Sequence, residues 1–195
     1  MKIDTVYYKS SHKMSEVDDN SINLIVTSPP YFDVKDYSLN GYQTQNHSLK
    51  EDFDFGAISS FNEYITSLLL VWKECERILT PNGKLCINVP LLPITKKEND
   101  SHYNRHIYDI QSSIQQSILT NTNLYLLDIY VWNRTNPSKK LMFGSYPYPR
   151  NFYAQNTIEF IAIYVKDGLP LNKLPYEIKE QSKLSTFYGK LINSL

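Results

Sequence analysis

The residues best suited to chemistry stand at positions 27–31, Thr-Ser-Pro-Pro-Tyr, directly after an apolar run at 22–26. Proline fixes φ and removes an N–H, so two prolines in succession end a strand in a rigid turn whose carbonyl oxygens a sheet ladder does not use. The free carbonyl oxygens and the Ser28 hydroxyl would then form a fixed cluster of acceptors beside the flat ring of Tyr31. Such a cluster could hold an amino group on a planar ring. Taken alone, the tetrapeptide could equally do no more than end a strand.

The composition is that of an ordinary globular chain of 195 residues with zero formal net charge. No apolar run approaches the ~20 residues that a membrane helix needs, and the first residues lack the apolar core of a signal peptide. The sequence therefore predicts a cytoplasmic protein without a membrane partner. Cys75 and Cys86 are expected to be buried structural thiols. Neither they nor the four histidines show the spacing of a metal site, so no metal is expected.

The hydrophobic pattern predicts alternating strands and helices. Strands are predicted at 3–8, 22–27, 84–90, 124–132 and 158–165. One helix is predicted from Phe61 to Leu79, capped by Ser59 or Ser60 and ended by Thr-Pro-Asn-Gly at 80–83. A second is predicted over about 105–120, with inward isoleucines at 107, 110, 114 and 118. This order predicts an α/β sheet with parallel central strands, in which strand 22–27 is buried on both faces. Residues 32–58 are expected to form a loop.

Several stretches in order along the chain carry a family resemblance. They are VDDNSINLIVTSPPYFDVKDY at 17–37, ECERILTPNGKLCINVP at 74–90, and YVWNRTNP, FGSYPYPRN and NTIEFIAIYVKDG between 130 and 168. Together they resemble motif IV, motif V and the stretch up to motif VIII of the beta-type DNA amino-methyltransferases, which methylate N4 of cytosine or N6 of adenine. The resemblance implies a Rossmann-like sheet, S-adenosylmethionine as cofactor and double-stranded DNA as substrate. Because serine rather than aspartate precedes Pro-Pro-Tyr, cytosine N4 is the favoured target.

The resemblance also implies roles for the matching residues. Ser28 and the Pro29 carbonyl would hold the amine of a base flipped out of the duplex, Pro30 would keep the turn rigid, and Tyr31 would stack on the base. Ser10 and Thr27 are candidates to contact the cofactor. The candidate DNA-binding residues are Lys35, Tyr37, Arg134, Lys139, Lys140, Tyr146 and Arg150. Trp132 is expected in the core. Glu159 is expected either to serve as a motif VIII residue or to pair with a neighbouring cation.

The glycine-rich turn with which that family binds its cofactor is absent from the sequence. Relatives use Gly-x-Gly, whereas the six glycines here never stand two residues apart. We therefore expect an incomplete sheet, with residues 1–168 as the catalytic, target-base half. Residues 169–195 are expected to be a tail with a short helix at about 177–193, at the start of a recognition or partner-contacting region. An apolar face and a strand edge would be exposed, to be covered by a second polypeptide, an identical chain or a continuation of this one.

Three functions remain open from the sequence. The first is a site-specific cytosine-N4 DNA methyltransferase that is active only with a partner or the missing half. The second is an adenine-N6 enzyme, and the third is a non-catalytic DNA-binding subunit that keeps the fold. An RNA or small-molecule methyltransferase is a more distant reading. A companion restriction endonuclease, as in restriction-modification systems, would follow from family analogy alone.

Overall fold

Four strands form one mixed sheet in a computed structural model that describes residues 4–32, 58, 60–95, 105–134 and 157–169. In chain order the elements are β1 (Ile22–Thr27), α1 (Phe61–Ile78), β2 (Leu79–Pro90), β3 (Leu92–Thr95), β4 (Arg105–Tyr108), α2 (Ile110–Asn121), β5 (Leu124–Asn133) and β6 (Ile158–Lys166). The order across the sheet is β1-β2-β6-β5, and β3 and β4 form a separate antiparallel pair. The loop predicted at 32–58, apart from residues 32 and 58, and the tail at 170–195 lie outside the described residues.

The strands of the main sheet do not all run in one direction. β1 is parallel to β2, whereas β6 is antiparallel to both β2 and β5. The prediction of parallel central strands is therefore right for β2 against β1 and wrong for β6. The reason is that the hydrophobic pattern of a segment indicates whether its side chains are buried. The direction of a strand depends instead on the connection by which the chain returns to the sheet.

One edge of the sheet collects the ends of all four strands. β1, β2 and β5 end there, and β6 begins there, because Pro90 pairs with Glu159 and Asn133 pairs with Ile158. We call this the carboxyl edge. In α/β sheets, ligands bind beyond this edge.

Both helices pack on the same face of the sheet. Every second residue of a strand points to the same face of the sheet, and helix residues three or four apart lie on the same side of the helix. The apolar sides of both helices therefore pack against one face of the sheet and form a single buried layer. The buried residues of this layer are Tyr64, Leu68, Trp72 and Cys75 from α1, Ile110, Ile114 and Ile118 from α2, and Leu85, Ile87, Val89, Ala162 and Tyr164 from the sheet. The predicted burial of Cys75 is confirmed.

The last turn of α1 holds the segment that leads into β1. The Arg77 guanidinium donates hydrogen bonds to the main-chain oxygens of Met14 and Val17 and to the carboxylates of Asp19 and Glu74. Glu74 also accepts a hydrogen bond of 2.7 Å from the Met14 N–H. The hydrogen bonds from Arg77 lower the pKa of Glu74, so this carboxylate stays ionised near neutrality.

The first predicted strand is not formed. Residues 4–8 adopt no regular structure, and Val6 and Tyr8 are 71% and 83% exposed. No described strand lies beside this segment. The prediction was wrong because β-branched and aromatic residues favour a strand only where a neighbouring strand and a packing surface exist.

The second helix begins later than predicted. Asp109 caps it by accepting hydrogen bonds from the N–H and the hydroxyl of Ser112, at 3.0 and 2.7 Å. Residues 105–108 instead form β4, which pairs with β3, and Ile107 is 42% exposed rather than inward. At the end of α1, the Thr-Pro-Asn-Gly stretch lies within β2, which starts five residues earlier than predicted.

The opposite face of the sheet carries no helix within the described ranges. The strand register places these side chains there: Leu24, Val26, Cys86, Ile163, Tyr125 and Tyr130. We call it the bare face. Leu24 is 58% and Val26 73% exposed, and no described strand pairs with the outer edge of β1. The prediction that this strand is buried on both faces is therefore wrong, while the predicted exposure of an apolar face is confirmed for Leu24 and Val26.

The reactivity of the two cysteines should distinguish the bare face from the helix-covered face. Cys86 lies half-buried on the bare face, whereas Cys75 is buried in the helix layer, which raises its pKa to about 12. At pH 8 on the order of one Cys75 in ten thousand would be a thiolate, and a thiol reagent attacks the thiolate. We expect a disulfide reagent to modify one thiol in the folded chain and two after denaturation. Cys75→Ser should keep the fast reaction and Cys86→Ser should abolish it; equal rates for both cysteines would contradict the assignment.

Candidate active site

The Ser28–Tyr31 turn stands at the carboxyl edge, directly after β1. Pro29 is buried, Ser28 and Pro30 are exposed, and Tyr31 is half-buried. The Ser28 hydroxyl lies 3.2 Å from the Tyr31 hydroxyl, within hydrogen-bonding distance. The turn therefore presents its serine and its tyrosine side by side at the surface while one proline packs inward.

A buried tyrosine of α1 holds the turn from behind. The Tyr64 hydroxyl donates a hydrogen bond of 2.8 Å to the Pro30 carbonyl, and Tyr64 is 0% exposed. The Pro30 carbonyl is thus already engaged. Among the described residues no donor reaches the carbonyl of the buried Pro29, so this oxygen is not committed to another protein group, and the exposed Ser28 hydroxyl has only the Tyr31 hydroxyl as a described partner.

An aromatic cluster fixes the residue that follows the turn. Phe32 is 5% exposed, and its ring centroid lies 5.5 Å from Phe61, 5.6 Å from Tyr64 and 5.4 Å from Tyr108. Phe61 and Tyr108 stack at 4.4 Å. The chain is held at Pro30 and at Phe32, on either side of Tyr31. Sequence reasoning missed this cluster because its rings come from a turn, a helix and β4, and no single periodicity links them.

Asn88 of β2 is a second residue that sequence reasoning missed. Its side-chain amide donates a hydrogen bond of 3.2 Å to the Phe160 carbonyl. The register pairs Thr27 with Ile87, so Asn88 lies one residue further toward the carboxyl edge, level with the start of the turn. The available signal was a polar residue within the apolar stretch 85–90.

Arg134, which directly follows β5, and Glu159 of β6 form an ion pair at the same edge. Arg134 Nη1 lies 2.7 Å from Glu159 Oε1, and the Glu159 side chain is 8% exposed. The Arg134 N–H also donates to the Thr157 carbonyl at 2.8 Å. The predicted pairing of Glu159 with a neighbouring cation is confirmed. Trp132, predicted in the core, is 51% exposed, because β5 lies at the end of the sheet without a further strand in the described part.

The remaining predicted site residues are only partly described. The Ser10 hydroxyl accepts a hydrogen bond from the His12 N–H at 3.3 Å. Thr27 ends β1 and pairs with Ile87, on the helix-covered side. The residues predicted to bind DNA that lie outside the described ranges are Lys35, Tyr37, Lys139, Lys140, Tyr146 and Arg150.

Two negative findings apply to the described part of the chain. No group of His, Cys, Asp and Glu side chains there could hold a metal ion. Within the same ranges, no helix has the length and apolar character to cross a membrane.

The fold is shared with solved DNA methyltransferases. It superposes on TTHA0409 of Thermus thermophilus, a putative DNA modification methylase solved with S-adenosyl-L-methionine, with a TM-score of 0.56 and 21% identity over 85% of this chain and 53% of that one. The cytosine-N4-specific PvuII DNA methyltransferase gives a TM-score of 0.55 at 15% identity, over 84% of this chain and 49% of that one.

The sequence comparison defines the family. Residues 22–193 match the DNA methylase family of N6 and N4 enzymes, so the chain belongs to that family. It is 26% identical over 185 residues to the type II methyltransferase M.MthZI of Methanothermobacter thermautotrophicus, a match that covers 94% of this chain and 50% of that protein. The chain therefore spans about half the length of this relative.

Proposed function

We propose that this chain is the catalytic, target-base half of an S-adenosylmethionine-dependent DNA methyltransferase that acts on the exocyclic amine of a flipped base, with cytosine N4 as the favoured target. The observation that carries the proposal is the Ser28–Tyr31 turn, which offers an exposed hydroxyl and an uncommitted carbonyl at the carboxyl edge of a methyltransferase sheet. Family membership supports it.

The turn suits an amine whose lone pair is conjugated into a ring. The Ser28 hydroxyl and the Pro29 carbonyl would accept hydrogen bonds from the amine and favour a more tetrahedral nitrogen, whose positive charge they would stabilise during transfer. Tyr31 would leave its contact with Ser28 and stack on the base, an interaction worth about 1–3 kcal/mol per base in nucleic-acid complexes. Most of the remaining rate enhancement would come from positioning.

The described residues do not build a cradle for S-adenosylmethionine by themselves. The two described glycines that approach other backbone closely, Gly83 and Gly168, contact Thr80, Pro81 and Asn82, at the start of β2 and away from the carboxyl edge. The chemistry of the described residues is therefore that of holding the amine and the base, and Ser10 and Thr27 stay proposed cofactor contacts. The cofactor turn would come from the polypeptide that completes the sheet.

The bare face and the free edge of β1 support the proposed partner. Leu24 and Val26 expose apolar side chains on a strand that has no described neighbour along its outer side. Covering these side chains would gain roughly 25 cal/mol for each Å² of apolar surface removed from water. We favour a polypeptide that carries the cofactor half, and an identical chain is the other outcome to be tested.

DNA is the proposed macromolecular substrate, with contacts from the basic connection between β5 and β6. Lys139, Lys140, Tyr146 and Arg150 belong to that connection, whose two ends are joined at the carboxyl edge by the Arg134–Thr157 hydrogen bond. Arg134 itself is neutralised by Glu159, so we assign it the smallest share of phosphate binding.

Two alternative functions, adenine-N6 methylation and non-catalytic DNA binding, each differ from this proposal in one respect. Aspartate in place of Ser28 would favour adenine N6, so the serine is the feature that favours cytosine. A non-catalytic DNA-binding subunit would keep the fold without using the turn, and it would bind DNA without transfer in every assembly.

Substitutions in the turn should separate chemistry from folding. Ser28→Ala removes an acceptor from the developing charge and should lower kcat by about 10²- to 10³-fold in the assembly that binds cofactor. Tyr31→Ala should also be strongly impaired, whereas Tyr31→Phe keeps the ring and most activity. Ser117→Ala on α2 is the matched serine control and should retain wild-type kcat. Full activity of the Ser28→Ala, Tyr31→Ala double variant would end the proposal.

The target base can be read from the product. DNA methylated by the assembly and digested to nucleosides should contain N4-methylcytosine by mass spectrometry, because serine stands at the acceptor position. N6-methyladenine would replace the cytosine assignment with the adenine alternative and leave the rest of the proposal in place.

Cofactor binding by the 195-residue chain alone should be absent. We expect titration calorimetry with S-adenosylmethionine to show no saturable heat, because no Gly-x-Gly turn is present to let the backbone approach the cofactor. The oligomeric state, measured in parallel by sedimentation, distinguishes the partners: protection of Cys86 as the chain self-associates would indicate an identical copy on the bare face. Saturable binding by the monomer would refute the need for a completing half.

A further inference from the structure

Tyr64 is the side chain that joins the turn to the helix layer. It lies in the first turns of α1, is completely buried, and donates its hydroxyl to the Pro30 carbonyl at 2.8 Å. We propose that Tyr64 is a positioning residue for the transfer reaction, which through this hydrogen bond holds the Ser28 hydroxyl and the Pro29 carbonyl at one point in space. This inference rests on the proposed function.

The turn depends on an external donor because of its own composition. Pro29 and Pro30 lack N–H groups, so the dipeptide cannot hold itself by donating to its surroundings. The dipeptide can still be held through a carbonyl oxygen that accepts a hydrogen bond from a fixed donor. The Tyr64 hydroxyl is a fixed donor because the Tyr64 ring is enclosed in the core. The centroid of this ring lies 5.6 Å from that of Phe32 and 6.1 Å from that of Phe61.

The hydrogen bond also decides which carbonyl faces a ligand. Because Pro30 accepts from Tyr64 on the inner side, its oxygen is directed toward α1. The neighbouring Pro29 oxygen accepts no hydrogen bond from the described residues, and the Ser28 side chain beside it is exposed. Without Tyr64 the peptide between Pro30 and Tyr31 could rotate, and both the acceptor pair and the stacking ring would lose their common orientation.

The cluster around Phe32 cannot replace this hydrogen bond. Phe32 is held by ring contacts with Phe61, Tyr64 and Tyr108, which restrict its position but do not orient the carbonyl of Pro30, two residues earlier. The ring of Tyr64 packs in the core, and its hydroxyl orients the Pro30 carbonyl. A phenylalanine at this position would keep the first and remove the second.

The matched variants are Tyr64→Phe and Tyr164→Phe. Each deletes one hydroxyl from a fully buried tyrosine, and Tyr164 lies on β6 within the core that packs against α2, without a described contact to the turn. Tyr164→Phe therefore controls for the loss of a buried hydroxyl as such. Urea unfolding of both variants checks that each remains folded.

A spectroscopic readout follows the hydrogen bond without any activity. The sequence has three Pro–Tyr pairs, at 30–31, 147–148 and 175–176, so labelling proline with ¹³C at the carbonyl and tyrosine with ¹⁵N yields three carbonyl–nitrogen cross-peaks. Tyr31→Phe assigns the first. Tyr64→Phe should move the carbonyl shift of the 30–31 peak upfield and leave the other two unchanged, and Tyr164→Phe should move none of them.

The kinetic readout separates positioning from stability. In the assembly that methylates DNA, Tyr64→Phe should lower kcat about tenfold to a hundredfold with the KM for DNA within about twofold, because misplaced groups cost rate rather than binding. Tyr164→Phe should leave both constants unchanged. An unmoved 30–31 cross-peak in Tyr64→Phe would overturn the inference, as would a moved cross-peak with wild-type kcat, which would assign Tyr64 a structural role. If the wild-type assembly transfers no methyl group to DNA, the proposed function fails and the positioning role fails with it, while the cross-peak still reports whether Tyr64 holds the turn.

Discussion

The parallel pairing of β1 with β2 is the constraint on which the rest of the structure depends. It places the Ser28–Tyr31 turn at the carboxyl edge, level with Asn88 and next to the end of β2. It also leaves β1 at the end of the described sheet, with Leu24 and Val26 exposed on the bare face. The same strand therefore carries the candidate site and an exposed apolar surface.

The turn is attached to the hydrophobic core through α1. α1 buries its apolar side against the sheet, and its first turns also supply the Tyr64 hydroxyl and the Phe61 ring that hold Pro30 and Phe32. Close packing restricts these side chains to narrow positions, so the orientation of the turn follows from the packing of the helix. A reactive group placed on a rigid element in this way costs little reorganisation when a ligand binds.

The bare face and the outer edge of β1 have a physical consequence in the part of the chain that the structure describes. A sheet with helices on one face only cannot bury its second apolar face, and an open edge strand is a template for further pairing. The chain matches 50% of M.MthZI and superposes on 53% of TTHA0409. The Gly-x-Gly spacing with which the family binds its cofactor is absent from this sequence.

The local features could be predicted from the sequence alone: the strand that ends at Thr27, the amphipathic α1, the Ser28–Tyr31 turn that ends the strand and the lack of Gly-x-Gly. These follow from composition, periodicity and proline chemistry, which act over a few residues. Five features depend on the folded chain: the antiparallel direction of β6, the strand at 105–108, the exposure of Trp132, the pairing of Arg134 with Glu159, and the hydrogen bond from Tyr64 to Pro30. Each of these depends on contacts between residues far apart in the chain, where no local pattern records which neighbour a side chain will meet.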